Sequence, residues 1–551
     1  MITLKVVPLG GLGEFGMNMM AFSFEGTTIV VDAGVMFPEQ ELPGVEFVIP
    51  DLSYLEQLEN GITALILTHG HEDHIGAVPY VLPLIRGPIV GTPFTLALLK
   101  SKLSEHPLSH DYNLQTIQPK EQIEVGAFKI EFLHVTHSMP GCVALAIHTP
   151  LGTLVHTGDF KLDRTPPDGN HSDLQRLAEL GQKGVLALFS DSTNIDRHGF
   201  SGSETDVIEA FEEIFSTTHG KIIVTIFASA IHRMQVLINL AVKFDRQVSF
   251  VGRRMNKNVL VAKNLGHLHV PPGVELKEKD IMSRPERELL CITTGSQGEP
   301  SAALPRIAVG KHQHVKLTTR DTVVFSARVI PGNEKSIDRI VNQITRLGAY
   351  VIQENTKKVH VSGHGSEEEI KFMLSLVRPR HFVPIHGEYR QLARHAQVAK
   401  SLMGDDTDVL LSENGDILEF DTNGASCRSK ALTGRILVDR TLTGEIVDEI
   451  LRDRRHLGNN GLLIPIVAIS TQGQVIKNTS DIVTRGFVVN AHTENLLAEA
   501  LTILDKITDN TCSKKRTDFN LIKGKIKTEL QRFFRKRLGQ SPLVLPIIME
   551  I

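Results

Sequence analysis

The chain has 551 residues, of which 41% are hydrophobic and 22% are charged, so it is long enough for about three or four globular domains. Its 59 basic and 63 acidic residues give a net charge of −4, which excludes a uniformly basic nucleic-acid coat and an acidic tail protein. Four cysteines without CxxC spacing exclude a disulfide scaffold and a cysteine zinc cluster, whereas 24 histidines call for a search for metal ligands.

The N-terminal residues show no basic segment followed by an apolar stretch, so the sequence predicts no signal peptide. No run approaches the ~18 apolar residues that cross a bilayer, and the longest clear run, 461–469, is typical of a buried strand. We therefore expect a soluble protein of the cytoplasm without a membrane partner.

The texture of the sequence changes along the chain. Up to about residue 203, short apolar strands alternate with turns, which favours sheets that carry loops at their edges. From 204 to 360 the pattern becomes longer helix–strand units, as in a parallel α/β sheet. Short strands return at 361–420, and the last part, 456–551, alternates strands with helices like a small α/β domain. Between them, 421–455 begins with a polar, small-residue segment and is predicted to be a linker.

The segment Gly11–Gly16 matches the GxGxxG pattern after a strand, and Asp32 ends the next predicted strand. A dinucleotide-binding fingerprint requires a helix after its third glycine, with the helix N-terminus facing the pyrophosphate. The short stretch after Gly16 instead places Phe22 and Phe24 two residues apart, as in a strand. We therefore predict a glycine-rich turn between strands.

The segment HGHEDH, His69–His74, directly follows an apolar strand. Its three imidazoles and its carboxylate cannot all face a core without unpaired polar groups. Imidazole and carboxylate together suit Zn²⁺ or a similar divalent ion. Isolated His-x-His pairs at 267–269 and 312–314 are interpreted as ordinary strand or loop histidines, because they lack the following Asp-His.

Three more candidates stand just past the ends of predicted strands: His137, Asp159 and His386. Each alone is also explained as a hydrogen-bonded histidine or a turn aspartate. If their strands share a sheet sandwich, however, the side chains can converge at one rim. The seven candidates together are too many for one tetrahedral zinc and suit two metals with a bridging carboxylate, an arrangement used in attack on phosphate esters.

The ordered set of these residues resembles the metallo-β-lactamase superfamily, and further segments resemble its β-CASP nuclease branch and the bacterial ribonuclease J family nearly end to end. These segments are SDSTN at 190–194, TGSQGEP at 294–300, PGNE at 331–334, SGHG at 362–365, PIHGEYR at 384–390 and LPIIME at 545–550. Without the resemblance, SGHG is also explained as a glycine-rich turn, although such a segment can form an anion-binding nest.

The resemblance implies an α/β protein: a metallo-β-lactamase αββα sandwich with an inserted β-CASP α/β domain and a small C-terminal α/β domain. The sandwich would comprise 1–203 and 361–420, and the insert 204–360. After a linker at 421–455, residues 456–551 would form an oligomerisation domain that makes a homodimer or homotetramer.

The resemblance also implies a ligand set for two divalent metal ions, with Zn²⁺ favoured and Mn²⁺ or Mg²⁺ as alternatives. The first ion would be held by His69, His71 and His137, and the second by Asp73, His74 and His386. Asp159 would bridge the two. Asp73 and Asp159 are therefore counted among the catalytic residues.

Further roles are implied for the substrate pocket. The segment His360, Val361, Ser362, Gly363 and His364 would contact substrate phosphate, and His364 would also be the catalytic acid that protonates the departing 3′ oxygen. A second stretch would help to hold a 5′ monophosphate through Ser229, His232 and Arg233.

The sequence departs from the family pattern near this pocket. Ala230 stands where asparagine is frequent, Ser138–Gly141 reads SMPG rather than SIPD, and Ala327–Arg328 replaces smaller or polar residues. None of these departures removes a predicted metal ligand, so they bear on the nucleotide pocket.

The implied function is a metal-dependent ribonuclease in which a hydroxide bridging two metals attacks the phosphorus. It would act as a 5′→3′ exoribonuclease on 5′-monophosphorylated RNA, with endonuclease activity as well, in mRNA decay and rRNA maturation. Its partners would be single-stranded RNA and components of an RNA-degradation complex. The alternatives are a small-ester hydrolase on the same metal platform and an RNA-binding scaffold with a degenerate site.

With a net charge of −4, RNA binding requires local basic groups. The candidates in the first 420 residues are Arg233, Arg253, Arg254, Lys257 and Arg390. A predicted helix at 519–538 carries a basic face that is either solvated or in contact with RNA. Its predicted buried face comprises Leu521, Ile522, Ile526, Leu530, Phe533 and Phe534.

Overall fold

The computed structural model describes residues 2–38, 42–106, 111–330, 332–439, 448–470, 476, 479–486, 491–511, 519–539 and 541–551. Residue 331, which opens the PGNE segment, and residues 440–447 of the predicted linker lie outside the described residues. The chain divides into two compact units, one formed by Met1–Phe37 with Phe47–Ile436 and the other by Pro38–Glu46 with Leu437–Ile551.

The first unit contains two facing sheets whose apolar side chains form one core. The first sheet has eight strands in the order Gly424–Lys430, Asp416–Asp421, Leu4–Gly10, Met19–Phe24, Thr27–Val31, Ala64–Ile66, Ile89–Gly91 and Leu114–Thr116. The second has seven, in the order Asp408–Val409, Pro379–Ile385, Val185–Asp191, Gly152–His156, Val143–Thr149, Phe128–His134 and Gln122–Val125. Phe22 and Phe189 meet edge-to-face between the sheets, with ring centroids 5.6 Å apart.

Two widely separated parts of the chain build this sandwich. Leu4 pairs with Phe420 in the first sheet, and Val185–Asp191 runs parallel to Pro379–Ile385 in the second. Helices cover both outer faces. In the described part of the unit, the helices are Ser53–Glu56, Glu72–Ile75, Val78–Val81, Pro93–Leu103, Leu174–Lys183, Ile208–Thr217, Ile231–Lys243, Arg253–Asn264, Ala303–Ala308, Glu334–Arg346, Glu367–Val377 and Tyr389–Met403.

The residues between these two parts form an inserted α/β domain. Its sheet is entirely parallel, in the order Gln247–Val251, Leu289–Thr293, Ile222–Thr225, Thr322–Phe325 and Tyr350–Ile352. The strands read as continuous apolar runs because helices cover a parallel sheet on both faces. Short 3₁₀ helices span Leu82–Leu84, Glu204–Val207, Glu278–Ser283, Glu286–Glu288 and Gly404–Asp406. The αββα sandwich with an inserted α/β domain agrees with the predicted fold class.

The second unit has its own sheet and core. Leu462–Ile469 pairs with Asp481–Arg485, Leu543–Val544 and Ile547–Glu550, beside helices Asp448–Asn460, Ala491–Thr511 and Phe519–Leu538. The last helix buries Ile522, Ile526, Leu530 and Phe534, which are four residues apart and share one face. The prediction was wrong for Leu521, which is 53% exposed, because it lies beside that face rather than on it.

Two local predictions can be compared directly with the structure. The GxGxxG segment connects two strands without a following helix: it contains the two-residue strand Leu12–Gly13, Gly16 has φ +99°, and the strand Met19–Phe24 follows. The linker prediction was wrong for 424–430, which forms an edge strand next to Asp416–Asp421. The Asp421 carboxylate accepts hydrogen bonds from the N–H groups of Asn423 and Gly424 and closes the turn, and polar residues are common on an edge strand. The other domain boundaries stay predictions.

Further strands span Leu12–Gly13, Val45–Pro50, Gly387–Glu388 and Arg435–Asp439. Within the described ranges, no helix is both long enough and apolar enough to span a membrane.

Glu369 ties the two parts of the sandwich to the edge of the insert. Its side chain is fully buried, and its carboxylate accepts hydrogen bonds from the backbone N–H groups of Leu162, Ser201 and Ser366, at 2.7–2.8 Å. The Ser201 hydroxyl donates a further one. Because buried N–H groups are costly to leave unpaired, this carboxylate fixes the local path of three separate segments.

We therefore expect Glu369→Ala to lower the free energy of unfolding of the first unit by about 3–5 kcal/mol, since it leaves one buried and two partly buried N–H groups without an acceptor. Urea denaturation followed by circular dichroism measures the change. Glu368→Ala is the matched control on the same helix, where the exposed carboxylate makes only a surface ion pair with Lys371. Equal losses in the two variants would contradict this account of Glu369.

Candidate metal centre

The seven predicted ligands lie at one edge of the sandwich. His69 and His71 follow the strand Ala64–Ile66, and Asp159 follows Gly152–His156. His386 comes directly after Pro379–Ile385, in the left-handed region with φ +56°. The sheets therefore bring together side chains that are more than 300 residues apart in the chain. Their roles as metal ligands stay predictions at this point.

The donor atoms form two overlapping groups, in each of which all lie within 4.8 Å of one another: His69, His71, His137 and Asp159, and Asp73, His74, Asp159 and His386. In the first, His69 Nε2 is 2.9 Å from His71 Nδ1 and 3.5 Å from Asp159 Oδ2. In the second, His74 Nε2 is 3.3 Å from Asp159 Oδ2. Asp159 belongs to both groups, as a bridging carboxylate must.

The chemistry of this donor set fits divalent cations. Asp159 Oδ2 and His386 Nε2 are buried, and no hydrogen-bond partner for either atom exists within the described residues. Burial lowers the pKa of His69 and of His137 well below the usual value, which keeps both imidazoles in the neutral form that binds metal. Burial alone would raise the pKa of Asp159, but the surrounding imidazoles, His386 foremost, lower it well below its usual range.

Hydrogen bonds on the side of the ring away from the centre orient the imidazoles of the predicted ligands. The Nδ1–H of His137 donates to the carbonyl oxygen of Gly363 at 2.7 Å, and that of His386 donates to Thr193 Oγ1 at 2.6 Å. In both residues Nε2 is thereby directed at the centre. A side chain at Gly363 is excluded, because its Cβ would lie 2.7 Å from the His137 ring.

Asp32 is a site residue that the sequence argument missed. It accepts a hydrogen bond from His74 Nδ1–H at 2.7 Å and two more from the backbone and the hydroxyl of Thr68. Such an outer carboxylate fixes the tautomer of a ligand imidazole and raises its basicity. Its position at the end of a predicted strand, which it shares with the candidate ligands, could have indicated a place in the site. In the sequence it instead appears as part of a dinucleotide fingerprint.

A third group joins Asp191, His364 and His386 within 4.8 Å. His364 Nδ1–H donates to Asp191 Oδ2 at 2.7 Å, and His364 Nε2 is 3.8 Å from Asp159 Oδ2. Burial alone would lower the pKa of His364, but the carboxylates of Asp191 and Asp159 outweigh burial and raise it. Asp191 belongs to the SDSTN segment, and the residue pattern alone did not indicate its contact with His364.

The predicted substrate-binding residues divide into two sets. Ser229 lies at the centre, with Oγ 3.1 Å from His71 Nε2, and Ser362 Oγ accepts from the His364 N–H at 3.1 Å. His360 and Val361 line a cavity of about 360 Å³ that also borders Ser362.

His232 and Arg233 instead make protein contacts. His232 Nε2 faces Asp168 at 3.3 Å. Arg233 is 3% exposed, and its guanidinium donates to Glu204, to Ser326 and to the carbonyl oxygen of Val359. In this arrangement the Arg233 guanidinium is occupied by contacts within the protein, and it holds the irregular segment that leads to Ser362.

Several predicted basic contacts are also paired with carboxylates. Arg254 faces Glu72, Lys257 contacts Glu105, and Arg390 donates to both Asp196 and Glu388. The side chains of Arg254, Lys257 and Arg390 are all exposed to solvent.

Comparisons with known proteins point to one protein family. Family models match at 13–220 for the metallo-beta-lactamase superfamily, 219–344 for the ribonuclease J beta-CASP domain, 350–410 for a Zn-dependent metallo-hydrolase RNA specificity domain, and 449–551 for the ribonuclease J C-terminal domain. Ribonuclease J of Thermus thermophilus is 38% identical over 99% of this chain and 95% of its own length. The chain belongs to the ribonuclease J family. The predicted family and fold class are thereby confirmed.

Other relatives extend over similar lengths. Ribonuclease J of Synechocystis is 38% identical over 98% of this chain and 86% of the relative, and ribonuclease J2 of Bacillus subtilis is 36% identical over 100% and 99%. A crystal structure of a protein of unknown function from Enterococcus faecalis has a TM-score of 0.53 at 15% identity, and the match covers 75% of this chain and 99% of that one. That likeness concerns the fold alone.

We expect Asp32→Asn to weaken divalent-metal affinity by about 10- to 100-fold, because the amide cannot support the His74 tautomer as the carboxylate does. Asparagine tolerates the left-handed backbone of this residue, where φ is +60°, so the fold is retained. Titration of metal-free protein with Zn²⁺, followed calorimetrically, measures the affinity. Asp421→Asn, in the distant hairpin turn, is the control, and wild-type affinity in Asp32→Asn would refute the assignment.

Proposed function

We propose that this chain is a metal-dependent ribonuclease that degrades single-stranded RNA in the 5′→3′ direction and favours a 5′ monophosphate, with endonuclease cleavage as a second activity. The observation that carries the proposal is the sharing of Asp159 between two imidazole groups, next to the loop Ser362–His364. Membership of the ribonuclease J family and the match to an RNA specificity domain support RNA as the substrate.

Two divalent ions, Zn²⁺ in the first place and Mn²⁺ or Mg²⁺ as alternatives, are proposed for the centre. One would be held by His69, His71 and His137 and the other by Asp73, His74 and His386, with Asp159 between them. When bound, such ions lower the pKa of water and stabilise negative charge that develops on phosphate oxygens.

His364 is proposed as the acid that gives a proton to the departing 3′ oxygen. Its Nδ1–H is held by Asp191, which leaves Nε2 directed toward Asp159 and the centre. The two carboxylates favour the protonated imidazolium, which is the form that an acid needs. Asp191 is therefore a positioning residue for His364.

The substrate is proposed to lie between the sandwich and the inserted domain. His71 belongs to the sandwich, and Ser229 directly precedes the helix Ile231–Lys243 of the insert, so the two domains meet at the centre. Ser229 and Ser362 are proposed to donate hydrogen bonds to phosphate oxygens. Arg233 is proposed to act indirectly, by holding the backbone at Val359 and Val361.

The cellular setting is proposed from the family alone. We infer a cytoplasmic enzyme of mRNA decay and rRNA maturation that forms a homodimer or homotetramer through 456–551 and joins other proteins of RNA degradation.

Incubation with labelled single-stranded RNA tests the proposed activity. With Mn²⁺ or Zn²⁺, we expect nucleoside monophosphates to be released from the 5′ end of 5′-monophosphorylated RNA, faster than from RNA with a 5′ triphosphate. Chelation with EDTA should abolish release, because the donor set then lacks its cations. Ester hydrolysis without RNA cleavage would favour a small-ester hydrolase, and metal-independent binding without cleavage would favour a scaffold.

Two histidine variants separate metal binding from proton transfer. His74→Ala should lose metal and activity, because it removes a donor of the second group. His364→Ala should keep its metal content and lose about 100- to 10,000-fold in turnover, the usual contribution of a general acid. Elemental analysis and RNA cleavage rates measure both, with His148→Ala, on the half-exposed end of Val143–Thr149, as control. Full activity in either site variant would contradict its assigned role.

A further inference from the structure

Arg328 is a cation without an anionic partner. It is half-buried, and within the described residues no carboxylate lies within ion-pair distance of its guanidinium. Its neighbours differ in this respect, since Arg197 faces Glu354 at 3.9 Å and Arg390 donates to Asp196 and Glu388. Burying a charge without a counter-charge is unfavourable, so this guanidinium is suited to an anion that comes from outside the chain.

Two further arginines, each paired with a carboxylate, act electrostatically on Arg328. Burial, and then the positive charge of Arg197, lower the pKa of Arg328; Glu354 opposes them, and Arg390 lowers the pKa further by a smaller amount. The electrostatic surroundings thus favour a negative group at Arg328, in agreement with its missing partner. An arginine fork also matches the oxygen geometry of a phosphate.

A hydrogen-bond chain places Arg328 beside the loop proposed to bind substrate. Its guanidinium donates to Asn194 Oδ1 at 2.5 Å. Asn194 Nδ2 in turn donates to Ser362 Oγ at 2.8 Å and to the carbonyl oxygen of His364 at 2.9 Å. Arg328 therefore stands two hydrogen bonds from this loop, beside the metal centre rather than in it.

There is open space on this side of the loop. The cavity of about 360 Å³ is lined by Arg197, which acts on Arg328 by charge, and by Ser362, which is joined to Arg328 through Asn194; Arg328 itself stands behind this lining and not in it. Its other cations, Lys357 and Lys358, are paired with Glu213 and Asp206.

We propose that Arg328, flanked by Arg197 and Arg390, binds a phosphate of the RNA strand next to the scissile one. The identity of the ligand as RNA rests on the proposed function. The phosphate is either internal or the 5′-terminal monophosphate, and the two sources share the same chemistry. In the rival role, Arg328 only positions Asn194 and does not contact RNA. The two roles are distinguished by one variant that removes the charge and another that alters the hydrogen bond.

Two substitutions separate the charge of Arg328 from its hydrogen bond. Arg328→Gln removes the charge and keeps a donor for Asn194, whereas Arg328→Lys keeps the charge. Arg346→Gln is the matched control, an exposed arginine at the end of helix Glu334–Arg346. Binding of metal-loaded full-length protein to labelled single-stranded RNA, with 2′-O-methyl groups that slow cleavage, is measured over a series of salt concentrations.

We expect Arg328→Gln to weaken binding about tenfold and to flatten the slope of log K against log salt by about 0.7, the value for one lost phosphate contact on a single strand. Arg328→Lys and Arg346→Gln should keep the wild-type slope. A wild-type slope in Arg328→Gln would overturn the proposal, whatever the change in affinity. Wild-type binding without salt dependence would also overturn it.

The 5′ end of the RNA identifies the phosphate. A flattened slope on both 5′-hydroxyl and 5′-monophosphate RNA supports an internal phosphate, and flattening on the latter alone supports the terminal one. Metal-dependent cleavage by the wild-type protein is scored separately on RNA without 2′-O-methyl groups. If the wild-type protein does not cleave RNA but Arg328→Gln flattens the slope, the proposed function is refuted and the phosphate site is retained. If the wild-type protein cleaves RNA but Arg328→Gln leaves the slope unchanged, the phosphate site is refuted and the proposed function is retained.

Discussion

The carboxylate of Asp159 is buried among five imidazoles, each with a ring nitrogen within 4.0 Å of one of its oxygens: those of His69, His74, His137, His364 and His386. A buried carboxylate is tolerated only when opposite charge surrounds it, and neutral imidazoles in contact are tolerated only when their lone pairs have a partner. Divalent cations, as proposed for this centre, would satisfy both requirements. The strand ends, the outer hydrogen bonds and the loop at Ser362 are all arranged around this constraint.

The candidate ligands could be selected from the sequence because metal chemistry limits the residue types and the ends of strands limit their places; their role as ligands stays a prediction. His69–His74 stands out by composition, and His137, Asp159 and His386 follow strands that an apolar pattern reveals. The same pattern located most strands and helices of both units. What it could not establish was convergence, which depends on how strands more than 190 residues apart pair with one another.

The hydrogen bonds that surround the candidate ligands could not be predicted from the sequence. Nothing in the sequence pairs His74 with Asp32 or Arg233 with Glu204, because these contacts depend on the folded path rather than on spacing. The resemblance to the family placed Arg233 at a 5′ monophosphate, yet its guanidinium is enclosed by contacts within the protein. In the sequence, Arg328 differs only as a departure from a family pattern. The absence of an anionic partner among the described residues is visible only in three dimensions.

The chain leaves the sandwich for the insert and returns to it at nearly the same place. Asn194 forms a β-bridge with Ser366, and the N–H groups of Glu367 and Glu368 donate to the carbonyl oxygens of Arg197 and Gly199. The whole insert therefore closes on itself like one surface loop, and its presence interrupts no strand of the sandwich. Adjacent ends are the condition under which a domain can be acquired by an existing fold. Both connections of the insert lie at the rim that carries the candidate metal centre, because Asn194 on the outgoing side donates to Ser362 and His364 on the returning side.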